Sequence, residues 1–293
     1  MLIHNKKFQI IKNKKLKYIA IFIFIIIIII FALEEIIEPQ GFVKPDYDKV
    51  DIKQVLLKDN LTEDDYKTLL YQTGLGKPAI DELLKNEENG IKDIIEFQEN
   101  FFDDKNVLCE KIGIITSQES LVNDDGKYEY GFDLAPYENG YVLLTKATHS
   151  LGWRHGHAAI VSNKENETTI EAVILGENTQ IQNINKWRVY PSFMMLKLKD
   201  TSQETLDKIA DFATQHTYDL PYGLVVGLLN SKNPDSSDLT STQCSHLVWY
   251  PFKQFGYDID SDGSWLVTPK DIANSDLFEI VQIYGVDPEE IWP

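Results

Sequence analysis

The chain has 293 residues, a formal net charge of −18, 43% hydrophobic and 11% aromatic residues, and two cysteines. That much apolar material can bury a core, which excludes global disorder, and a body this acidic repels phosphate backbones, which argues against a nucleic-acid partner. Two thiols, Cys109 and Cys244, are too few for a disulfide-stapled small domain, although a pairing between them stays open.

The charge is unevenly placed. Residues 1 to 18 carry six lysines and no acid, and every residue from Tyr18 to Leu33 is apolar or aromatic. A basic flank before such a run reads as an export or anchor signal. The run is shorter than the roughly 20 residues of a comfortable spanning helix. No small-residue cleavage site follows, so an uncleaved signal-anchor is expected, with a cleaved signal as the alternative. No cysteine follows either, which excludes a bacterial lipoprotein anchor. The lysines belong on the cytoplasmic side, and everything from about residue 35 onward on the other. The expected first region is therefore 1–38, a basic tail and membrane segment through 18–33.

Residues 39–60 hold Pro39, Gly41 and Pro45 among scattered charges and read as a linker. Thr62 is a good helix N-cap, with Glu63, Asp64 and Asp65 in the first turn. Gly74 and Gly76 break that helix, and Pro78 suits the first turn of the next, which reaches Leu84. Apolar residues at 91, 94, 95, 97, 101 and 102 give a third helix. Residues 39–106 are thus a linker and a helical region, and 107–293 the main domain.

Past residue 107 the pattern turns to strands. Tyr141–Leu144, His157–Val161, Ile170–Leu175 and Phe193–Leu198 are expected strands, separated by turn-rich stretches. Thr201 with Glu204 is expected to form a capping box for a helix with Leu206, Ile209, Ala210 and Ala213 on one face. A last helix starts near Thr242 and stops at Gly256, with Pro251 inside it as an expected kink.

Cys244 falls in the first turn of that helix, where unpaired N–H groups and the helix dipole favour a thiolate and can bind an oxyanion. By position alone a buried structural cysteine is the better account. His157 opens an apolar strand, which would hold an imidazole rigidly against a thiol. Glu171 is an acid inside an apolar strand, costly unless paired, and an antiparallel neighbour could set it against the far nitrogen of His157.

Gly156-His157-Ala158-Ala159-Ile160-Val161, Ile170-Glu171-Ala172 and Gln243-Cys244-Ser245-His246-Leu247-Val248-Trp249, in that order, resemble the YiiX/YebB-like cysteine hydrolases. These are circularly permuted relatives of the NlpC-type papain-like enzymes. The resemblance spans about residues 130 to 285. It implies an α+β papain-like core with a small antiparallel sheet and a catalytic helix. It also implies Cys244 as nucleophile, His157 as base and Glu171 as the residue that orients it, with Tyr222 as a further oxyanion donor. No cofactor and no metal are expected. The implied substrate is a peptide amide, such as a cell-wall peptide, or a lipid-like acyl ester. A binding module that kept the fold without turnover, or a membrane-tethered scaffold, are the other classes.

Rival constellations are weaker. His155 and His157 with His149 or Cys244 could bind zinc, but the ligands are not clustered as zinc sites usually are. Asp258-Ile259-Asp260-Ser261-Asp262-Gly263 starts like a calcium loop, yet its twelfth position is Pro269, where a glutamate is required. No serine-hydrolase elbow and no phosphate-cradling loop is present.

Overall fold

The computed structural model describes residues 17–26, 28–29, 41–113, 115–150, 153–224, 226–227 and 231–293. The expected spanning segment, 18–33, lies partly outside these residues; positions 17–26 and 28–29 are helical and exposed. Among the described residues no helix is long and apolar enough to cross a membrane.

Four helices come first: α1 (Lys53–Leu56), α2 (Glu63–Thr73), α3 (Lys77–Leu84) and α4 (Gly90–Phe101). The Thr62 hydroxyl accepts from Asp65 N while the Asp65 carboxylate accepts from Thr62 N, a reciprocal cap that fixes the start of α2. The helix ends at Gly74, in the left-handed region at φ 71°, where an added Cβ would lie 2.2 Å from the Ile283 carbonyl oxygen. That close approach joins the helices to the sheet: Ile283 N donates to Gly74 O at 2.7 Å and Gly76 N to Val281 O at 2.9 Å.

The strands are β1 (Asn106–Lys111), β2 (Thr116–Val122), β3 (Val142–Thr145), β4 (Thr148–Ser150), β5 (His157–Asn163), β6 (Thr168–Glu171), β7 (Gln180–Asn183), β8 (Phe193–Leu198) and β9 (Phe278–Tyr284). A six-stranded antiparallel sheet runs β7-β6-β5-β3-β8-β9, and a smaller one β1-β2-β4. Helices α5 (Gln203–Thr217) and α6 (Cys244–Gln254) pack on β5 and on each other, and α7 (Pro269–Ala273) follows. The protein is thus α+β with antiparallel sheets, as expected.

One core runs through helices and strands alike: Leu69, Leu75, Ile80 and Ile94 are fully buried in the same cluster as Leu143, Ile160, Met195 and Tyr250. The helices before residue 107 therefore share the interior of the main domain. The expected linker is also packed from residue 41 on, with Ile52 and Leu56 buried and Val43 N bonded to Gly285 O at 3.0 Å.

Two local expectations need correction. The cap of α5 is Ser202, whose hydroxyl accepts from Thr205 N at 3.3 Å, rather than Thr201 with Glu204. The strand expected over Ile170–Leu175 ends at Glu171, because β7 pairs with only the first four residues from Thr168. Helix α6 runs from Cys244 to Gln254 with Pro251 inside it, close to the extent expected.

Candidate active site

Strand geometry brings His157 and Glu171 together. Ile160 pairs with Ile170 across β5 and β6, so one step on sets Glu171 beside Ala159. Ala159 shares a face with His157, two residues away, and the diagonal lets the two side chains meet. His157 Nε2 lies 2.8 Å from Glu171 Oε2, with His157 5% exposed and Glu171 fully buried. Gly156 makes this placement possible. It sits at φ +71°, and a Cβ there would lie 2.4 Å from the Thr145 carbonyl oxygen and 2.3 Å from the Trp292 ring.

Glu171 is caged. Lys186 Nζ is 2.6 Å from Oε2, Trp187 Nε1 donates to Oε1 at 3.0 Å, and the Thr169 hydroxyl donates to Oε1 as well. Lys186 and Trp187 arrive on a 3-10 helix, Ile184–Val189, that follows β7. The Trp187 ring stacks on the imidazole with centroids 5.4 Å apart and planes 12° from parallel. Burial alone would raise the Glu171 carboxyl, but Lys186 and His157 outweigh it and hold it below the usual carboxylate range. Burial likewise would lower His157; hydrogen bonds and charge interactions with Cys244 and Glu171 override that and raise it from 6.5 to about 9.

Cys244 opens α6, as expected, and is buried at 5% exposure. Gln243 is the N-cap. Its Oε1 accepts from Ser245 N at 3.0 Å, and its Nε2 donates to Val267 O at 2.9 Å. This ties the first turn to the loop before α7. Cys244 is close enough to His157 to help raise the imidazole, and its sulfur donates to Gln243 Oε1 at 3.6 Å. With Nε2 engaged by Glu171, Nδ1 is the ring nitrogen left for the sulfur. No disulfide joins Cys109 and Cys244, so the open pairing between them is not made.

Cys244 lines a cavity of about 290 Å³. Its wall is mostly apolar: Val173, Ile174, Leu175, Leu224, Leu266 and Val267, with Trp153 at the rim. Residues 173–175, freed where β6 stops short, supply one side. Tyr222 lines the same cavity, held by a parallel bridge between its backbone and that of Thr242. Burial first, and then Cys244, push its phenol upward, so it keeps its proton and can donate toward the site.

His149, His155 and His246 are engaged elsewhere. His155 bonds the Ser150 hydroxyl at 3.0 Å and the Gly156 carbonyl at 2.8 Å, and burial lowers it. His149 meets the Cys109 sulfur at 3.4 Å. His246 accepts from the Thr242 hydroxyl at Nδ1 and donates to Lys232 O at Nε2, both at 2.8 Å. Burial lowers His246 to about 4, so this neutral ring braces the turn before α6 and is no base. The rival zinc set of His155 and His157 with His149 or Cys244 does not converge: among the described residues the one group of possible ligands close enough to share a metal ion is Asp260, Asp262 and Asp271.

Sequence reasoning named Cys244, His157, Glu171 and Tyr222, of which His157 and Glu171 meet and Cys244 and Tyr222 line one cavity. It missed Lys186 and Trp187, whose role depends on the 3-10 helix folding back over β6, and the Gln243 cap. The lone glutamine before Cys244 was the available signal for the cap.

No protein-family model matches the chain, and no curated protein does. Among solved structures the chain is similar to the crystal structure of metalloprotein yiiX from Escherichia coli O157:H7, with a TM-score of 0.37 and 12% identity, covering 49% of this chain and 96% of that one.

Proposed function

We propose that the protein is a cysteine hydrolase of the papain-like kind, working through an acyl-enzyme on Cys244. The observation that carries this is the buried relay Cys244–His157–Glu171 at the floor of an open cavity. His157 takes the thiol proton and the sulfur attacks a carbonyl carbon. The tetrahedral oxyanion meets first-turn N–H groups of α6 and the Tyr222 hydroxyl. The leaving group departs with the proton from His157, giving a thioester. Water, deprotonated by the same ring, attacks that thioester and frees Cys244. Glu171 fixes the ring and stabilises the imidazolium. The presence of nucleophile, base and orienting acid together favours turnover over a binding module.

Amide bonds, including those of cell-wall peptides, are the first substrate class. The apolar cavity favours a second one, an acyl ester of lipid character, because such a wall gives a peptide's polar groups few partners. The proposal also places the domain outside a membrane, tethered through residues 18–33; the lysine-rich flank and unbroken apolar run support this.

The test is acyl-enzyme trapping by intact mass, using p-nitrophenyl esters of increasing chain length and matched anilides. The proposal expects an adduct on the wild type that is lost in Cys244→Ala and accumulates more slowly in His157→Ala. Ester preference growing with chain length selects the acyl-ester class; a flat chain-length profile with anilide turnover selects the amide class. No adduct from either series overturns hydrolysis by this site.

A further inference from the structure

The stretch Asp258–Gly263 starts like a calcium loop and fails at Pro269, but the fold supplies the missing acid two residues later. Asp260, Asp262 and Asp271 each offer a carboxylate oxygen, and these oxygens all lie within 4.8 Å of one another. Asp260 and Asp271 are 8% exposed, whereas Asp262 is open to solvent. Like charges brought this close and partly out of water repel strongly unless something positive lies among them.

Lys232 supplies part of that charge. Its ammonium donates to Asp260 Oδ2 and, at 2.6 Å, to Ser264 O. One ammonium against three carboxylates leaves two negative charges over. A second, separate observation points into the cluster: Asp260 Oδ1 is buried with no hydrogen-bond partner among the described residues. A buried carboxylate oxygen without a partner is costly, and native structures usually fill such a position. The other two acids have oxygens to spare. Asp271 commits Oδ2 to Thr268 N and to the Thr268 hydroxyl, both at 2.7 Å, which leaves Oδ1. Asp262 Oδ1 accepts from Ser264 N at 2.8 Å, which leaves Oδ2. Burial, the largest influence on Asp260, raises its carboxyl in spite of Lys232.

We propose that Asp260, Asp262 and Asp271 bind a hard divalent cation of the calcium kind, on the loop that walls the Cys244 cavity. An all-carboxylate donor set without imidazole or thiolate selects calcium or magnesium over zinc or copper. Calcium tolerates ligands drawn irregularly from a loop and a short helix, with water completing the shell, better than magnesium does. The ion would hold the segment from Asp260 to Asp271. Within that segment Leu266, Val267 and Thr268 line the cavity, and the Val267 carbonyl receives Gln243 Nε2 beside the nucleophile. The site rests on the carboxylates alone and not on cysteine chemistry.

The test uses the full chain in detergent micelles, with Tb3+ as a luminescent probe and Ca2+ as competitor. Trp249 is the sensitiser, since the Lys232 ammonium that contacts Asp260 lies 4.9 Å from its ring centroid. The expected result is saturable Tb3+ luminescence displaced by Ca2+, together with a Tm that rises on adding Ca2+. Asp262→Asn, exposed and outside any ion pair, should weaken Ca2+ competition at least tenfold while leaving the circular dichroism unchanged. Asp271→Asn should do the same, and Cys244→Ser should bind Ca2+ like the wild type. A wild type with no saturable signal and a Tm indifferent to Ca2+ overturns the site. Unchanged Ca2+ competition in Asp262→Asn overturns it equally.

Discussion

Glu171→Gln keeps the shape of the side chain and removes its charge. In the wild type the carboxylate is fully buried against Lys186 Nζ at 2.6 Å, His157 Nε2 at 2.8 Å and Trp187 Nε1 at 3.0 Å. Removing one member of a buried ion pair leaves the other uncompensated and costs about 3–5 kcal/mol. The lower end, about 3 kcal/mol, is expected because the Lys186 side chain keeps 26% exposure and can turn toward water. Lys186→Met strands the carboxylate with His157 alone and should also destabilise. The double variant removes both charges, so it should lose less than the two singles together, by a coupling of about 2 kcal/mol. Urea unfolding at pH 7, followed by tryptophan fluorescence with a constant slope across variants, measures all four corners of the cycle. Glu171→Gln should also slow turnover, since the imidazole loses the anion that orients it. Single effects that add within about 0.5 kcal/mol would refute the claim that Lys186 and Glu171 act as one unit behind the base.

Other outcomes follow from the same geometry. His157 is raised from 6.5 to about 9, so its contribution to stability is fully present below pH 6.5 and is lost as pH rises through about 9. Glu171 is lowered, so its contribution is present above the ordinary carboxylate value of 4.5 and is lost as pH falls below it. Denaturation curves across pH should show both flanks, and His157→Ala should lack the alkaline one. Gly156→Ala, at φ +71° with the Thr145 carbonyl 2.4 Å from the new Cβ, should cost at least about 1 kcal/mol and slow Cys244 alkylation by displacing His157. Tyr222→Phe should lower turnover about 100-fold if the phenol donates to the oxyanion, with alkylation of Cys244 unchanged. Leu75→Ala should cost about 2–5 kcal/mol and keep a single unfolding transition, because α2–α4 share the core of the sheet; two separate transitions would contradict that.

Much of the scaffold was legible because it rests on local rules. Thr62 with its acids, Pro78 after Gly76, and the apolar run in Phe193–Leu198 each specify an element within a few residues. Strand β9 was not, since Phe278–Tyr284 gains its identity only by pairing with β8 and by meeting Gly74–Gly76 about 200 residues earlier in the chain. The short end of β6 was missed for a similar reason: Val173–Leu175 is as apolar as a strand but serves as cavity wall. Motif and order singled out the residues of the proposed triad, of which His157 and Glu171 meet. The cage around Glu171 was not legible, because no sequence spacing announces that Lys186 returns to the same carboxylate that His157 uses. The three aspartates likewise belong to one cluster only after α7 folds back over the loop.

The most direct test of the central claim is iodoacetamide labelling of the two cysteines at neutral pH, resolved by peptide mass. Cys244 is buried while Cys109 is partly exposed, so burial by itself predicts that Cys109 reacts first. A nucleophile paired with His157 predicts the opposite order, with Cys244 labelling faster and losing that advantage in His157→Ala. Faster labelling of Cys109, with Cys244 indifferent to His157→Ala, would contradict the assignment of Cys244 as the nucleophile.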